Sequence, residues 1–225
     1  KLIHKLRSYG ISGKLINWIS CWLSNRFQSV LVDGHLSSPR AVLSGILQGT
    51  VLGPLFFLLY INDLIDVLPA ESHPTLFADD LEIFSDEPTL PDPAQPGKSF
   101  SPLLQNSLNL LFEWSSTWQL NISFSKCSIL CVSNVNATPA ARSYYINSIP
   151  LPQVSSCCDL GIIIDDKLSF SEHIAVRVRK AYSQSKLISR CFLSRNPKLL
   201  ERVFISYVPP FLEYATPIWS PHQLA

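Results

Sequence analysis

The apolar run over residues 51–61 constrains the fold of this chain more than any other segment. Its sequence, VLGPLFFLLYI, holds no charged residue and ends at Asn62 and Asp63. A helix that crosses a bilayer needs roughly 20 apolar residues, so this run is too short to span a membrane. A helix predicted over residues 55–68 is apolar nearly all round, which is typical of a buried helix. The rest of the chain is therefore expected to fold around it.

Composition and charge support a folded chain that binds ions at its centre. Of the 225 residues 47% are hydrophobic and 16% are charged, which excludes general disorder. Residues 1–40 hold six Lys or Arg and one acid, residues 61–100 hold nine acids and one Lys, and residues 170–202 hold eight Lys or Arg and two acids. This basic–acidic–basic order is typical of a protein that binds a polyanion through its two basic segments and cations through the acidic segment between them. Solvated charged faces produce the same order, so that alternative stays open.

The cysteines argue against a zinc site. None of the six forms a CxxC pair, and no His lies at zinc-finger spacing from them. Buried free thiols in a reducing compartment are therefore the preferred interpretation. Because the chain starts at Lys1 and contains no Met, we expect it to be a piece of a longer polypeptide.

Hydrophobic periodicity and turn residues predict helices and hairpins in irregular order. The predicted helices span residues 13–24, 55–68, 103–118, 171–192 and 197–208, and the predicted strands lie at 27–33, 41–43, 75–84, 127–132 and 143–165. Ser171 is the predicted N-cap of the fourth helix, and residues 85–102, with five prolines, are a predicted loop. Irregular alternation of helices and strands indicates the α+β class, with a second subdomain beginning near residue 169.

Asp79 and Asp80 are the first candidates for chemistry. They stand at the tip of the predicted 75–84 hairpin, and no Lys or Arg lies between Arg40 and Lys98 to neutralise them in sequence. Adjacent carboxylates repel each other, and a hard divalent cation relieves that repulsion because it prefers oxygen ligands. A solvated acidic turn is the alternative, since acidic residues are common in turns.

Five segments together resemble the reverse transcriptases of non-LTR, LINE-type retrotransposons of the jockey-like kind. They are GILQGTVLGPLFFLLYINDL at 45–64, FADD at 77–80, WSSTWQLNISFSKC at 114–127, LGIIIDDKLSFSEHI at 160–174 and YVPPFLEYATPIW at 207–219. The resemblance covers essentially the whole chain, and the segments occur in the family's order. It implies a partial right-hand polymerase, in which residues 1–168 form the palm and residues 169–225 form a basic, helical, thumb-like region.

The resemblance also implies a role for individual residues. Asp79 and Asp80 would bind catalytic Mg²⁺, with Mn²⁺ as a possible substitute, and Lys126 would protonate the leaving pyrophosphate unless it is an ordinary surface lysine. Gln48, Gly49, Phe77 and Ala78 would line the site for the nucleotide and the template. Residues 157–165 would hold the primer end. The expected contacts to the nucleic-acid backbone are Arg177, Lys180, Lys186 and Arg190.

The implied partners are an RNA template, a DNA primer and a dNTP, with no membrane. An intracellular location, nuclear or cytoplasmic, is expected for the parent element. Leu47 and Thr50 depart from the residues that the family commonly has there. The family's first metal-binding Asp and its N-terminal fingers would precede Lys1, in the missing N-terminal part of the same polyprotein, because a segment like residues 2–12 closely follows that Asp in the family. Asp33 and Asp63 are poor replacements for it.

Two consequences and two alternatives follow from this expected absence. Metal binding would be weak and catalysis by this chain alone negligible. The palm sheet would keep an unpaired edge beside Phe77 and Ile83. The alternatives to a polymerase module are a nucleic-acid-binding remnant without chemistry and a domesticated interaction module.

Overall fold

The computed structural model describes residues 1–46, 48–86, 90–92, 99–132, 141–194 and 196–220, so Leu47 and parts of the 85–102 segment lie outside the described residues. Helices and strands are mixed, as the α+β prediction requires. The helices are α1 (Leu2–Ser8), α2 (Gly13–Leu23), α3 (Leu52–Ile61), α4 (Leu64–Val67), α5 (Pro102–Trp118), α6 (Ser171–Cys191), α7 (Pro197–Tyr207), α8 (Pro209–Glu213) and α9 (Thr216–Trp219). The strands are β1 (Phe27–Gln28), β2 (Leu31–Val32), β3 (His35–Leu36), β4 (Arg40–Ala41), β5 (Pro74–Phe77), β6 (Asp80–Ile83), β7 (Leu90–Pro91), β8 (Ser99–Phe100), β9 (Ile129–Leu130), β10 (Tyr145–Ile146), β11 (Ile149–Pro150), β12 (Gln153–Val154), β13 (Ser156–Asp159) and β14 (Ile162–Asp165).

Internal contacts divide the chain into two compact units. The first unit comprises Lys1–Pro91, Phe100–Ser123 and Tyr144–Ile149, and the second comprises Asp92–Ser99, Phe124–Ser143 and Pro150–Ala225. The predicted boundary at residues 168 and 169 lies inside the second unit. The division into palm and thumb stays a prediction.

The first unit is built around α3. Phe56 of α3 packs with Leu6 of α1 and with Ile16 and Ile19 of α2 in one buried cluster. A second cluster joins Ile61 and Leu64, at the ends of α3 and α4, to Trp114 of α5.

Two details of α3 correct the sequence analysis. The predicted 55–68 helix is two helices, because the chain turns at Asn62 and Asp63 between α3 and α4. The prediction that it is buried all round is wrong for Leu55 and Leu58, which are each 49% exposed. The described residues thus cover one face of α3 rather than its whole circumference.

Two antiparallel hairpins extend the first unit. In one, β1 pairs with β4 and β2 with β3. In the other, β5 pairs with β6 in a two-stranded sheet, as the 75–84 prediction requires.

The second unit packs helices against a short hairpin. Ala181 and Ile188 of α6 are buried with Val203 of α7 and Val208. Strands β13 and β14 form an antiparallel hairpin, and β9 pairs with β12 in parallel. Within the described ranges, no helix combines the length and the apolar character needed to cross a bilayer.

The start of α6 corrects another prediction. The N-cap position is Phe170, with φ +54°, and Ser171 is already the first helical residue. The approach to the helix is fixed by the Asp165 carboxylate, which accepts hydrogen bonds from the amides of Lys167, Ser169 and Phe170. These hydrogen bonds lower the pKa of Asp165, although its partial burial acts in the opposite direction as the largest single influence.

Candidate active site and nucleic-acid interface

The β5–β6 hairpin presents one face to the core and the other to solvent. Because successive strand residues point to opposite faces, Leu76 and Leu81 turn inward, where they pack against the cluster of Ile61, Leu64 and Trp114. The opposite face carries Thr75, Phe77, Asp80 and Glu82, all of which are exposed. We call β5, β6 and the turn between them the Asp79 hairpin. Its apolar face fixes the position of its acidic face.

Asp79 and Asp80 lie at the tip of this hairpin with exposed side chains. Phe77 and Asp80 are the closing pair, so Ala78 and Asp79 form a two-residue turn. Ala78 has φ +54°, a conformation that residues other than glycine rarely adopt. Among the described residues, no hydrogen bond or ion pair involves either carboxylate. The two acids are therefore accessible to an external cation.

The loop before α3 also contains a position that favours glycine. Gly49 has φ +74°, and a Cβ there would meet no atom within 4 Å. Backbone conformation, rather than crowding, thus explains glycine at this position. Gln48 is exposed in the same turn, and the Thr50 hydroxyl accepts a hydrogen bond from the Gly53 amide at 3.2 Å. That this loop shares a groove with Asp79 stays a prediction.

Lys126 is the remaining predicted catalytic residue. It ends a short 3-10 helix over Phe124–Lys126 in the second unit, and its side chain is exposed. Its predicted role as an acid toward pyrophosphate stays a prediction.

The outer face of α6 carries a row of cations that includes one residue the sequence analysis missed. Successive helical residues turn by about 100°, so Arg179, Lys186 and Arg190 fall within about 40° of one another. This direction is roughly opposite to the buried Ala181 and Ile188. The i, i+7, i+11 spacing was available in the sequence and could have identified Arg179. We call these three residues the α6 basic row.

The neighbours of the α6 basic row suit a polyanion. Lys186 lies over the ring of the exposed Tyr182, with Nζ 4.5 Å from the ring centre. Lys180 is also exposed, about 100° around the helix from Arg179. An exposed cationic row of this kind forms sequence-independent contacts with phosphates.

Arg177, by contrast, is engaged inside the second unit. Its guanidinium donates a hydrogen bond to the Gly161 carbonyl and lies 4.8 Å from the centre of the Tyr214 ring. A nucleic-acid contact by Arg177 stays a prediction, but these contacts distinguish it from the α6 basic row.

The turn that Arg177 contacts has an unusual first residue. Asp159 and Ile162 close the β13–β14 hairpin, and Leu160 and Gly161 between them have φ +42° and +84°. Positive φ at both positions is typical of a type I′ turn, which favours Asn-Gly. A left-handed conformation costs a residue such as leucine about 1–2 kcal/mol. The Tyr214 hydroxyl, which donates to the Leu160 carbonyl at 2.7 Å, offsets part of this cost.

His173 connects this hairpin to α6. It is 1% exposed, and its Nδ1 accepts a hydrogen bond from the Ile163 amide at 3.1 Å. A neutral imidazole has one acceptor nitrogen, so Nε2 carries the proton and its 3.4 Å approach to Arg177 Nε is a contact without a hydrogen bond. Burial, and then the nearby Arg177 charge, lower the pKa of His173. The neutral form that this bond requires is therefore favoured.

A buried lysine was not anticipated from the sequence at all. Lys5 is 2% exposed, and its ammonium group donates hydrogen bonds to the Tyr60 carbonyl and the Asp63 carboxylate. Its Nζ lies 4.8, 4.6 and 3.9 Å from the ring centres of Tyr60, Trp114 and Trp118. We call these five residues the Lys5 cluster. Burial lowers the pKa of Lys5, while the hydrogen bond and the charge of Asp63 act to raise it.

The Lys5 cluster explains why Asp63 is a poor metal ligand. Its carboxylate binds the Lys5 ammonium group and also accepts a hydrogen bond from Trp114 Nε1 at 3.2 Å. Within the described ranges, no group of three or more His, Cys, Asp or Glu side chains is placed to hold a metal ion. Asp79 and Asp80 remain as an adjacent pair of exposed carboxylates. Mg²⁺ commonly uses only one or two protein carboxylates together with water and substrate phosphates, so the pair fits such an ion.

Comparison with known proteins identifies the family. The model of the family described as "Reverse transcriptase (RNA-dependent DNA polymerase)" matches residues 1–170 of this chain. The chain is 30% identical over 209 residues to the "Probable RNA-directed DNA polymerase from transposon X-element" of Drosophila melanogaster, with 89% of this chain and 22% of that protein covered. It is 27% identical over 232 residues to the "RNA-directed DNA polymerase from mobile element jockey" of Drosophila funebris, with 97% of this chain and 24% of that protein covered.

A third relative is the "Probable RNA-directed DNA polymerase from transposon BS" of Drosophila melanogaster, at 26% identity over 213 residues. The chain thus spans less than a quarter of the length of these curated relatives. The family match covers most of the chain, and the names of all three relatives contain "RNA-directed DNA polymerase", which confirms the resemblance found in the sequence. The chain therefore belongs to the reverse transcriptase (RNA-dependent DNA polymerase) family.

Proposed function

We propose that this chain is part of the polymerase of a non-LTR, jockey-like retrotransposon, which extends a DNA primer on an RNA template. The observation that carries this proposal is the Asp79 hairpin: its inner face is anchored on the core, and its outer face exposes two adjacent acids. In this proposal residues 1–168 form the palm and residues 169–225 form a basic, helical, thumb-like segment. The family match over residues 1–170 supports the palm assignment, and the exposed cations of α6 support the thumb-like segment.

The proposed reaction is nucleotidyl transfer. The primer 3′ oxygen forms a bond to the α-phosphorus of the dNTP, and the bond from that phosphorus to the bridging oxygen of pyrophosphate breaks. The 3′ hydroxyl loses its proton to solvent, and the Lys126 ammonium group gives one to the leaving pyrophosphate. Gln48 and Gly49, with Phe77 and Ala78, line the site for the nucleotide and the template.

Asp79 and Asp80 are the residues that would hold divalent cations, as reverse transcriptases generally use. We propose Mg²⁺, with Mn²⁺ as a substitute, because both prefer oxygen ligands. A bound ion of this kind stabilises the negative charge on the attacking and leaving oxygens. The exposed carboxylates contribute orientation and charge without first breaking a protein ion pair.

The α6 basic row is the proposed contact to the nucleic-acid backbone. Lys186 and Arg190 were predicted from the sequence, and Arg179 joins them on the same face of the helix. Each phosphate that they neutralise contributes about 0.7–0.9 to the slope of log affinity against log salt concentration. Template sequence is then read by base pairing rather than by these side chains.

The metal role is tested by Mn²⁺ binding, followed by electron paramagnetic resonance in the presence of primer–template and dNTP. Asp79→Asn is expected to weaken Mn²⁺ binding by about tenfold or more, since even outer-shell changes have effects of that size. Asp33→Asn is the matched control, because Asp33 is an exposed residue with positive φ in the turn of the other hairpin of the first unit. Equal effects of the two substitutions would exclude Asp79 as a specific ligand.

Catalysis and binding are separated in a second experiment. Incorporation of dNTP by this chain alone is expected to stay near background, and any incorporation should disappear with Asp79→Asn. Incorporation that survives this substitution would contradict the proposed site. Binding to primer–template that falls steeply with salt and persists with Asp79→Ala, in a chain whose Mn²⁺ binding Asp79→Asn leaves unchanged, would favour the nucleic-acid-binding alternative, for which the α6 basic row is the supporting observation.

A further inference from the structure

The tip of the β13–β14 hairpin is held by two side chains from outside the hairpin. The Leu160 carbonyl accepts a hydrogen bond from the Tyr214 hydroxyl, and the Gly161 carbonyl accepts one from Arg177. Arg177 comes from α6, and Tyr214 directly follows α8. We call Arg177 and Tyr214 the turn clamp.

The members of the turn clamp also contact each other. The Arg177 guanidinium lies over the Tyr214 ring at 4.8 Å, and the Tyr214 carbonyl accepts a hydrogen bond from Trp219 Nε1 at 2.8 Å. The Trp219 ring lies 5.5 Å from that of His173, which binds the Ile163 amide of β14. Hydrogen bonds and ring contacts thus join the hairpin, α6 and residues 214–219.

The turn clamp binds two carbonyls that belong to exposed residues. Leu160 is 42% exposed and Gly161 is also exposed, so water could satisfy both carbonyls. The turn nevertheless places leucine at a positive φ and takes up the side-chain donors of an arginine and a tyrosine. A costly local conformation that several neighbours enforce points to a functional constraint.

We infer that Arg177 and Tyr214 are positioning residues that fix the tip of the β13–β14 hairpin, and that they thereby set the position of a primer end held on it. The inference rests on the proposed function and on the prediction, from the family resemblance, that residues 157–165 hold the primer end. In this inference the Arg177 guanidinium binds the hairpin rather than the nucleic-acid backbone. It also makes the segment after α8 part of the primer site, although that segment need not touch the primer.

Tyr214→Phe tests the clamp because it removes one hydroxyl and keeps the ring that Arg177 covers. Hydrogen–deuterium exchange should become about five- to tenfold faster for the amides of residues 160–163, the loss expected for one hydrogen bond, and remain unchanged in the first unit. Tyr207→Phe is the control, since Tyr207 is an exposed residue of α7 whose hydroxyl bonds to no described residue. Arg177→Met, which keeps the apolar stem but removes the donors, should have the same local effect.

A binding comparison tests the role in positioning. Wild-type chain is expected to bind a duplex with a recessed 3′ primer end more tightly than a blunt duplex of the same length. Tyr214→Phe should reduce this preference at least threefold and leave blunt-duplex affinity and its salt dependence unchanged. Tyr207→Phe should keep the preference.

The outcomes separate the inference from the function on which it rests. Unchanged exchange at the turn in both clamp variants, or faster exchange with an intact preference for the recessed end, would overturn the turn clamp alone. A wild-type chain without any preference for the recessed end would overturn both the primer role of the hairpin and the inference.

Discussion

In the first unit, the Lys5 cluster and the Asp79 hairpin place charged side chains in opposite environments. In the Lys5 cluster the lysine is 2% exposed, and its ammonium group is bonded to Asp63 and lies close to three aromatic rings. In the Asp79 hairpin two acids of like charge are adjacent and exposed, without a described protein partner. One group has all its partners within the protein, whereas the other is open to partners from solution.

The difference shows which charged side chains are available to bind a ligand. Removing one member of a buried pair leaves the other charge desolvated, so the Lys5 cluster is tied to folding. The exposed acids are desolvated very little in the folded chain, so their charge is available to a cation. The acids between residues 61 and 100 are therefore of two kinds. Some, such as Asp63, support the fold, and others, such as Asp79, are candidate ligands.

The largest expected effect comes from breaking the ion pair between the buried Lys5 and Asp63, whose side chain is 34% exposed. Asp63→Ala leaves the Lys5 ammonium group buried without its counter-charge, and the free energy of unfolding should fall by about 3–5 kcal/mol. Urea denaturation measures this loss. Asp66→Ala is the control because Asp66 is an exposed acid of the adjacent helix α4, and its effect should stay within about 0.5 kcal/mol. Similar values for the two variants would remove the contrast between buried and exposed charge.

A smaller effect is expected when the cluster loses one hydrogen bond. Trp114→Phe keeps an aromatic face for Lys5 but removes the indole N–H that donates to Asp63 at 3.2 Å. A hydrogen bond to a charged group contributes about 1.5–3 kcal/mol, so a loss of that size should appear in the same denaturation measurement. Trp18→Phe, at a tryptophan that is 53% exposed, should be nearly neutral. A neutral Trp114→Phe would show that the indole nitrogen does not support the pair.

The anchoring of the Asp79 hairpin is tested on its inner face. Leu81 is half-buried against the cluster of Ile61, Leu64 and Trp114. Because a fully buried leucine contributes about 1.5–3 kcal/mol, Leu81→Ala should destabilise the chain by about 1–2 kcal/mol. Leu43→Ala is the control, at a leucine that is 93% exposed. If thermal or urea unfolding did not distinguish the two, the hairpin would not be anchored as described.

The sequence predicted the Asp79 hairpin and missed the Lys5 cluster for a physical reason. The hairpin is encoded locally, by apolar arms on both sides of an acidic tip, and its strands pair within ten residues. Lys5 meets Asp63 across 58 positions in the chain, and nothing in the local pattern around Lys5 distinguishes it from a solvated lysine. Contacts at such separations depend on the whole fold.

The same reasoning accounts for the helices. The spans of α2, α5, α6 and α7 follow from periodicity and were predicted to within a residue or so at each end. The division between α3 and α4 was not predicted, since the chain turns where Asp63 reaches Lys5. The cap of α6 was misassigned because Asp165, six residues before the helix, binds the approaching amides. Of the candidate site, the sequence identified the residue types, and its helical spacing could have identified Arg179, but the contacts of Arg177 with Gly161 and Tyr214 required the fold.

The smallest expected change in stability belongs to the acids themselves. Asp79→Asn and Asp80→Asn remove an exposed charge that has no described partner, so the free energy of unfolding should change by less than about 0.5 kcal/mol. Any change should be stabilising, because the substitution relieves repulsion between adjacent carboxylates. Urea denaturation without divalent metal gives this value, and addition of Mn²⁺ should stabilise the wild-type chain more than either variant. A loss of several kcal/mol without metal would place these acids with Asp63, as residues needed for folding, and would remove the reason to regard them as ligands.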